Sequence, residues 1–264
     1  MKRQIGEPFY KLKDQVAIVT GGMGNLGREF CKALFNEGAI VISIDNRKGG
    51  EANDFAMIGY PVDISNKHGL ERTLVDILLI GEPKILVNCA AIDFPPHGGS
   101  APSGLIESDE AEKDFDRVMD VNVKGMLLCC QVFGNRMERH GGGSIINISS
   151  IYGKVSPDQS IYLKDGKKRD FFKPISYCIS KACIPNMTRY LATYFKDVRV
   201  NTLTLGGVFN KQDAGFVSRY CANVPMGRMA SKDEYNDAVI FLASDSSVYM
   251  TGAEIVIDGG YTSW

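Results

Sequence analysis

Tyr177 and Lys181 are the two residues whose types and spacing best suit chemistry. Positions i and i+4 of a helix lie on the same face, so both side chains can act at one site. A free tyrosine has a pKa near ~10, and a nearby ammonium stabilises the phenolate and lowers that pKa. The phenol then comes closer to use as an acid or base at neutral pH. The spacing alone also fits an ordinary surface helix, so residues elsewhere in the chain must decide.

Short apolar segments that would position these residues alternate with longer helical patterns along the chain. Near-continuous apolar runs are typical of parallel strands that are covered on both faces. Such runs lie at residues 16–19, 40–44, 85–88, 144–148, 198–201 and 255–257, and residues 26–36 form the first amphipathic stretch. The alternation predicts a single α/β domain over residues 1–264, a Rossmann fold with a doubly wound parallel sheet and helices on both faces.

The composition argues against several classes of protein. The 264 residues include 30 Lys plus Arg and 31 Asp plus Glu, a net charge of -1, which favours neither nucleic acid nor an anionic membrane as partner. The apolar runs are too short to span a membrane, and residues 1–13 lack the apolar middle of a secretory signal. Seven cysteines without a Cys-x-x-Cys pair indicate reduced thiols, so we expect a cytoplasmic protein. The three histidines lie far apart, so no metal site is expected.

A glycine-rich segment, Thr20-Gly21-Gly22-Met23-Gly24-Asn25-Leu26-Gly27, follows the first predicted strand and opens the first helix. Glycines let the backbone approach a pyrophosphate, which a helix N-terminus attracts. A tight turn without a ligand is the alternative.

Asp45 ends the second strand, where a carboxylate binds ribose hydroxyls and repels a 2′-phosphate. Unless Asp45 is only a turn residue, NAD is therefore favoured over NADP, although Arg47 blurs the preference. Asp63 either accepts from the adenine amino group or caps the next helix, with Ser65 as the competing cap.

These elements, with others in a fixed order, resemble the short-chain dehydrogenase/reductase family over essentially the whole chain. The further matches are Asn88-Cys89-Ala90-Ala91, Asn122 in Asn122-Val123-Lys124-Gly125, Ser150, and Asp258-Gly259-Gly260 near the C-terminus. Each element is weak singly, but their order and spacing together are specific. The resemblance implies hydride exchange between a nicotinamide cofactor and an alcohol or carbonyl carbon, in which the protein contributes orientation and electrostatics.

The resemblance also implies roles for four residues. Tyr177 would move the hydroxyl proton, and Ser150 would hydrogen-bond and orient the reacting oxygen. Lys181 would lower the tyrosine pKa and hold the nicotinamide ribose, and Asn122 would position a water that links Lys181 to solvent. Alternatively, Asn122 caps or kinks its helix, and Ser150 is an ordinary hydroxyl at the end of a strand. The implied cofactor contacts are Gly21, Met23, Asn25, Leu26, Gly27, Asp45, Asp63, Ile64, Asn88, Ala90, Tyr177, Lys181, Gly206 and Val208.

The chain departs from the family pattern at several positions. Asn25 stands where the middle glycine usually lies, and asparagine tolerates the left-handed backbone that such a turn would need. Ala91 replaces a glycine, residues 205–208 replace a Pro-Gly segment that runs under the nicotinamide, and Asn210 replaces a threonine that contacts the cofactor. Ser150 and Tyr177 are separated by about twice the usual interval, so the extra residues must loop out. None of these changes removes a catalytic group.

An insertion at about residues 151–176 starts beside the predicted reacting centre and is expected to shape the substrate pocket. The expected substrate contacts are Ser150, Tyr152 and Tyr177, with Tyr162 and Phe171-Phe172 as further walls. Its basic residues either meet an anion or form a solvated loop tip; they are Lys154, Lys164, Lys167, Lys168, Arg169 and Lys173. A second loop, residues 92–104, is rich in proline and glycine and should be irregular.

A narrower resemblance covers residues 150–153, the insertion, residues 206–212 and residues 258–264. These segments look like family members associated with flagellin modification and surface-glycan sugar synthesis, which implies a sugar, sugar phosphate or nucleotide sugar as substrate. One alternative is a simpler polyol, a keto acid or a steroid-like alcohol. Another is a regulatory or scaffold protein that binds a nucleotide without turnover, which the intact set of catalytic residues argues against.

The C-terminal tail, residues 259–264, is apolar and aromatic for a chain end. An exposed tryptophan at position 264 would be costly, so we expect it to pack against something. The tail resembles a subunit contact of the family, which implies a homo-oligomer, either a tetramer or a dimer. Packing on its own subunit is the alternative.

Overall fold

The strands of the described residues form one parallel sheet at the centre of the molecule. A computed structural model describes residues 11–47, 55–94, 105–162 and 172–264. Within these ranges the strands are β1 (Val16–Thr20), β2 (Ile40–Asp45), β3 (Ile58–Pro61), β4 (Pro83–Asn88), β5 (Gly143–Ser150), β6 (Val198–Leu205) and β7 (Glu254–Ile257). Their order in the sheet is β3-β2-β1-β4-β5-β6-β7, and every pair is parallel. The chain changes direction between β1 and β4, where a doubly wound sheet opens a crevice at the carboxyl ends of its strands.

Helices cover both faces of this sheet. They are α1 (Asn25–Asn36), α2 (Lys67–Leu78), α3 (Asp109–Met119), α4 (Met126–Cys129), α5 (Asn135–Arg139), α6 (Ile175–Tyr194), α7 (Ala214–Ala222) and α8 (Asn236–Ala243). One core packs side chains of α2, α4, α5 and α6 against alternate strand residues such as Ile18 and Leu86. The other core packs α1 and α8 against their neighbours, such as Ala17 and Ile85. The alternation of strand side chains therefore feeds two cores, and the predicted doubly wound fold is confirmed.

Two segments of π-helix join α3, α4 and α5 end to end. The first spans Asp120–Gly125 and the second spans Cys130–Gly134. Short π segments inside α-helices often lie at functional sites, because their wider turn turns a side chain toward a new direction. The first segment carries Asn122, which is fully buried. Neither π segment was predicted from the sequence.

A buried chain of polar side chains fixes α6 against the middle of the sheet. Asn88 Nδ2 donates to Asn147 Oδ1 at 2.9 Å, and Asn147 Nδ2 donates to Thr188 Oγ1 at 3.0 Å. Thr202 Oγ1 donates to the same Thr188 oxygen at 2.8 Å. Strand register places Asn88, Asn147 and Thr202 side by side on β4, β5 and β6. Because a mispaired buried polar group is costly, this chain specifies where α6 sits.

Several local expectations are wrong or lie outside the described ranges. Neither Asp63 nor Ser65 caps α2, because the cap is Asn66, whose Oδ1 accepts from Gly69 N at 3.1 Å. Asp63 Oδ1 instead accepts from the backbone N and the hydroxyl of Ser65, at 2.9 and 2.8 Å. Residues 95–104 of the proline-rich loop and 163–171 of the insertion fall outside the description. In the part that is described, no helix is both long and apolar enough to cross a bilayer.

Candidate active site

A cavity of about 1170 Å³ opens at the carboxyl edge of the sheet. Most of the predicted site residues line it, namely Gly21, Asn25, Leu26, Gly27, Asp45, Asp63, Ile64, Ala90, Ser150, Tyr152, Tyr177, Lys181, Gly206 and Val208. Met23, Asn88 and Asn122 do not line it. Met23 contributes a backbone N–H to Asp45, Asn88 belongs to the buried polar chain, and Asn122 lies behind the wall.

Tyr177, Ser150 and Lys181 converge at one end of this cavity. Tyr177 and Lys181 lie one turn apart on α6, and Lys181 Nζ is 5.8 Å from the centre of the phenol ring. Ser150 ends β5, and its hydroxyl is hydrogen-bonded to the Tyr177 phenol. Lys181 Nζ also donates to the Ile148 carbonyl at 2.9 Å. The three groups expected for proton transfer thus share one site although Ser150 and Tyr177 are far apart in sequence.

Burial governs the protonation of these groups. Burial raises the pKa of Tyr177 well above its ordinary value, Asp93 raises it further, and the hydrogen bond from Ser150 acts in the opposite direction. Burial lowers the pKa of Lys181 to about 8, while the neighbouring Cys89 and Asp93 raise it. We expected the ammonium to lower the tyrosine pKa. In the structure Lys181 is directed at the Ile148 carbonyl, and burial of the phenol dominates.

Asn122 is a structural link between the wall of the cavity and α6. Its Oδ1 accepts from Ile92 N at 2.7 Å, and its Nδ2 donates to Ile92 O at 3.0 Å and to Ser180 Oγ at 3.0 Å. Ser180 Oγ in turn donates to the Tyr177 carbonyl at 2.8 Å. The Asn122 side chain therefore holds the segment after β4 and α6 at a fixed separation.

A proline within α6 explains a further contact to the catalytic helix. Pro185 has no N–H, so the carbonyl of Lys181 lacks its usual helical partner. Ser149 Oγ donates to that carbonyl at 2.9 Å. On the same side, a Cβ on Gly153 would lie 2.6 Å from the Lys181 carbonyl carbon, so only glycine permits this approach. The end of β5 and the turn after it thus pack directly on the backbone of Lys181.

The N-terminus of α1 fits a phosphate group. Gly24 occupies its cap position, no side chain caps the helix, and its first turn holds no acidic residue. In contrast, α2 and α3 are capped by the side chains of Asn66 and Ser108. Asn25 is the first helical residue, so it needs no left-handed backbone. A Cβ on Gly27 would lie 2.1 Å from the Gly21 carbonyl oxygen, which explains that glycine. The free N–H groups and the positive end of the helix dipole suit the pyrophosphate of a dinucleotide.

Asp45 lies deeper in the same half of the cavity and is held by two neighbours. Its Oδ2 accepts from Met23 N at 3.0 Å, and its two oxygens accept from Arg47 Nε and Nη2, both at 2.9 Å. Burial raises the Asp45 pKa, but these hydrogen bonds outweigh burial and hold the pKa below its ordinary value. Asp45 is therefore an ionised carboxylate at neutral pH, with Arg47 beside it.

Tyr220 stiffens the segment that departs from the Pro-Gly pattern of the family. Its Oη, on α7, accepts from Gly207 N at 2.6 Å. A Cβ on Gly207 would lie 2.5 Å from the Cζ of the same ring. Tyr220 also stacks on Tyr261. Both belong to an apolar cluster, the substrate-end cluster, that includes Ile151 and Tyr162 and lies against the cavity. Tyr220 therefore holds in place a backbone that a proline would otherwise restrain.

Two charged residues outside the predicted catalytic set lie beside Tyr177. Lys173 Nζ is 4.3 Å from the centre of the Tyr177 ring and forms an ion pair with Asp93. Lys173 had been one of six basic residues in the insertion, and Asp93 carried no signal at all. Tyr152 lines the cavity and is partly buried, and this burial raises the pKa of its phenol. The other four insertion bases from residue 164 to 169, and Phe171, lie outside the described ranges.

The C-terminal tail divides between burial and exposure. Tyr261 is buried in the substrate-end cluster, and Asp258 fixes the turn by accepting from Gly260 N and Thr262 N at 2.8 and 2.9 Å. Trp264 in contrast is 79% exposed. Packing of the tail on its own subunit therefore holds for Tyr261 but not for Trp264.

Comparison with known proteins places the chain among dehydrogenases. A family model described as Enoyl-(Acyl carrier protein) reductase matches residues 22–262. The NAD-dependent glycerol dehydrogenase of Listeria innocua is 29% identical over 96% of each chain. The galactitol 2-dehydrogenase (L-tagatose-forming) of Cereibacter sphaeroides is 30% identical over 97% of this chain and 98% of that one.

The solved structures give the same answer. A short chain dehydrogenase from Leptospira borgpetersenii, crystallised with bound NAD+, superposes with a TM-score of 0.85 and 29% identity over 99% of this chain and 98% of that one. The chain therefore belongs to the short-chain dehydrogenase/reductase family and is an oxidoreductase of CH–OH groups.

Proposed function

We propose that this protein is an NAD-dependent dehydrogenase that interconverts a hydroxyl and a carbonyl group on a sugar or polyol. The observation that carries the proposal is the convergence of Ser150, Tyr177 and Lys181 at one end of a cavity that also reaches the N-terminus of α1, which no side chain caps. The bound nicotinamide supplies the acceptor or donor of the hydride. The residues of the chain supply orientation and proton transfer.

Tyr177 is the group that moves the proton in this proposal. Its pKa lies well above the ordinary value, so the phenol is protonated at neutral pH and is ready to protonate a developing alkoxide when a carbonyl is reduced. Oxidation of an alcohol needs the phenolate, which the positive charge of an oxidised nicotinamide in the cavity would stabilise. Ser150 hydrogen-bonds to the same phenol and orients the reacting oxygen.

Lys181 and Asn122 support this reaction in different ways. Lys181 is buried and lines the cavity with its Nζ on the Ile148 carbonyl, and it would hold the nicotinamide ribose. The side chain of Asn122 is hydrogen-bonded to Ile92 and Ser180, so we assign Asn122 a positioning role toward α6. A water held between Lys181 and Asn122 stays a prediction.

The choice of cofactor follows from Asp45. An ionised carboxylate at the end of β2 accepts from ribose hydroxyls and repels a 2′-phosphate, so NAD is the proposed cofactor. Arg47 is the group that would otherwise attract the 2′-phosphate, and its guanidinium is engaged with Asp45. NADP is the alternative if Arg47 leaves this ion pair.

The substrate class rests on the relatives and on the polar lining of the site. The relatives at 29 and 30% identity are named for glycerol and galactitol, which are polyols. Ser150, Tyr152, Tyr177, Asp93 and Lys173 offer hydrogen bonds around the reacting position. The narrower resemblance to enzymes of flagellin modification and surface-glycan sugar synthesis, and a phosphorylated sugar as substrate, stay predictions.

The test follows nicotinamide absorbance with a panel of polyols, sugars, sugar phosphates and nucleotide sugars, with Tyr177→Phe as the paired variant. We expect turnover with one polyol or sugar group and a loss of about 10²- to 10⁴-fold in kcat for the variant. The variant should bind NADH, measured by fluorescence, as tightly as the parent, and it should melt at the same temperature. Both are expected because Tyr177→Phe keeps the ring and removes only the hydroxyl. NADH binding without turnover across the panel, or turnover that survives in Tyr177→Phe, would contradict the proposal.

We also propose that the chain forms a homo-oligomer. Trp264, Tyr249 and Tyr194 are large apolar side chains that the described part of the protein leaves exposed. Burial of such side chains in a subunit contact is favourable by about 25 cal/mol per Å² of apolar surface. Light scattering after size-exclusion chromatography measures the assembly, and deletion of Trp264 should weaken it. A monomer at micromolar concentration would refute this part.

A further inference from the structure

Lys173 is a buried cation at the substrate end of the cavity. Its side chain is 6% exposed, and it lies two residues before the start of α6. Gln159 holds its backbone from both directions, because Lys173 N donates to Gln159 Oε1 at 2.9 Å and Gln159 Nε2 donates to Lys173 O at 3.3 Å. The position of this lysine is therefore fixed by the short helix Gln159–Tyr162 as well as by α6.

The ammonium of Lys173 lies between the catalytic phenol and a carboxylate. Its Nζ is 4.3 Å from the centre of the Tyr177 ring and pairs with Asp93 Oδ1. The Asp93 side chain is 48% exposed, and Lys173, Asp93, Tyr177 and Ser150 all line the same cavity. One ammonium and one carboxylate thus face the space beside the reacting position.

The charge of this pair decides which ligands it suits. Lys173 can only donate hydrogen bonds, and an ionised Asp93 can only accept them. Their charges cancel, so an anionic substrate gains from Lys173 about what it loses to Asp93. A hydroxyl group both donates and accepts, so two hydroxyls on neighbouring carbons can use both partners without adding charge.

We propose that Lys173 and Asp93 form the subsite for the hydroxyl next to the reacting one, so that the enzyme prefers neutral vicinal diols. The inference rests on the proposed function, because it assumes that a substrate hydroxyl sits at Tyr177 and Ser150. Lys173 Nζ then donates to the oxygen of the adjacent hydroxyl, and Asp93 accepts the hydrogen of that hydroxyl or of its neighbour. No bond is made or broken in this step.

A competing role for Lys173 is to act only on Tyr177. An ammonium over an aromatic ring is attracted to its face and would favour the phenolate. That role affects every substrate equally, since all of them use the same phenol. A diol subsite affects only substrates that carry the second hydroxyl. The two roles are therefore separated by substrates that differ in that group alone.

Butane-2,3-diol and butan-2-ol are such a pair, and Lys173→Met is the main variant. Met keeps the length of the side chain and removes the donor, and Asp93 is exposed enough to tolerate the loss of its partner. We expect kcat/KM for the diol to fall roughly ten- to a hundredfold, the effect of one hydrogen bond to a charged group, and kcat/KM for butan-2-ol to change less than about threefold. Asp93→Asn should also lower kcat/KM for the diol relative to that for butan-2-ol.

The control is Lys232→Met, which removes a lysine paired with Glu29 outside the cavity and should leave both substrates unchanged. Melting temperature and NADH fluorescence report whether each variant is folded and binds cofactor. Equal losses for diol and butan-2-ol, with a shifted pH profile, would assign Lys173 to Tyr177 and overturn the diol subsite. A second result would also overturn the diol subsite. If the parent turns over glycerol 3-phosphate faster than glycerol and Lys173→Met loses that preference, Lys173 is an anion receptor.

Failure of the proposed function gives a different result. If the parent enzyme reduces or oxidises nothing in the panel, the dehydrogenase proposal and the subsite fall together. If the parent turns over the diol and Lys173→Met keeps the same ratio between diol and butan-2-ol, only the subsite is overturned.

Discussion

The side chains of Asn122 and Ser180 are hydrogen-bonded, with Asn122 Nδ2 donating to Ser180 Oγ at 3.0 Å. Both residues are fully buried, and Ser180 passes the contact on to the Tyr177 carbonyl at 2.8 Å. The first π segment of the long helix is thereby connected to the backbone of Tyr177, the proposed proton-transfer residue. This link gives the asparagine a mechanical role in the active site that does not depend on a water.

Removal of this link should cost stability in proportion to the bonds lost. Ser180→Ala removes one partner, and we expect the free energy of unfolding to fall by about 1–2 kcal/mol. Asn122→Ala leaves Ile92 and Ser180 without partners and should cost about 2–4 kcal/mol. Urea unfolding measures both values. An Asn122→Ala variant as stable as Ser180→Ala would mean that solvent replaces the asparagine, and the link would then carry no weight.

Lys181→Met should stabilise the protein without cofactor at pH 7 while abolishing turnover. The pKa of Lys181 in the folded protein is about 8, below the ordinary value of 10.5, because burial disfavours the ammonium. Between pH 8 and 10.5 the unfolded chain binds more protons, so the stability of the parent rises with pH through that window. The gain at pH 7 should be roughly 1–3 kcal/mol after the loss of the bond to Ile148.

Thermal unfolding of parent and Lys181→Met from pH 7 to pH 10 tests this expectation. The difference between them should shrink as the pH rises, because the folded parent loses the Lys181 proton above about pH 8 while the unfolded chain keeps its own up to about pH 10.5. A variant that is less stable than the parent at pH 7 would show that the Lys181 ammonium is well solvated in the folded protein.

Asp45→Ala should shift the preference from NAD toward NADP. The substitution removes the carboxylate that would repel a 2′-phosphate and releases the guanidinium of Arg47 from its two hydrogen bonds. We expect the ratio of kcat/KM for NAD to that for NADP to fall by about tenfold to a thousandfold, because both cofactors are affected in opposite directions. The double variant Asp45→Ala with Arg47→Ala should lose the gain for NADP. An unchanged ratio in Asp45→Ala would place the ribose away from Asp45.

Gly153→Ala should displace the catalytic helix. The new methyl would meet the Lys181 carbonyl carbon and oxygen at 2.6 and 2.7 Å, and backbone atoms there cannot rotate away. We expect a loss of about 1–3 kcal/mol in stability and a fall in kcat. Gly59→Ala in β3 is the control, since nothing lies within 4 Å of its added Cβ. Equal behaviour of the two variants in unfolding and turnover would contradict the tight packing at Lys181.

Much of the fold was predictable because buried parallel strands appear as continuous apolar runs. The strands β1, β2, β4, β5, β6 and β7 were found in this way, with ends that differ by a few residues. The strand β3 escaped because Ile58-Gly59-Tyr60-Pro61 lies at the edge of the sheet and is largely exposed. The cap of α2 was misplaced because Asp63, Ser65 and Asn66 are all capping residue types, and only the backbone geometry selects Asn66.

The site divides in the same way between local and long-range information. Tyr177 and Lys181 could be paired from spacing alone, since a helix brings i and i+4 together. Asp93 and Lys173 could not, because their contact joins positions 80 residues apart and depends on where α6 begins. The raised pKa of Tyr177 also depends on packing, since the same sequence motif on an exposed helix would leave the phenol in water.

The apolar cluster at the substrate end is separate from the two cores that flank the sheet. It joins the turn after β5 to α7 and to Tyr261 of the tail, three segments that are distant in sequence. Amide hydrogens of α7 should therefore exchange with solvent sooner than those of β5, whose bonds are shielded on both faces. Mutations in this cluster should therefore change substrate specificity while the two cores that flank the sheet keep their packing. A new specificity would then cost the protein little of its stability.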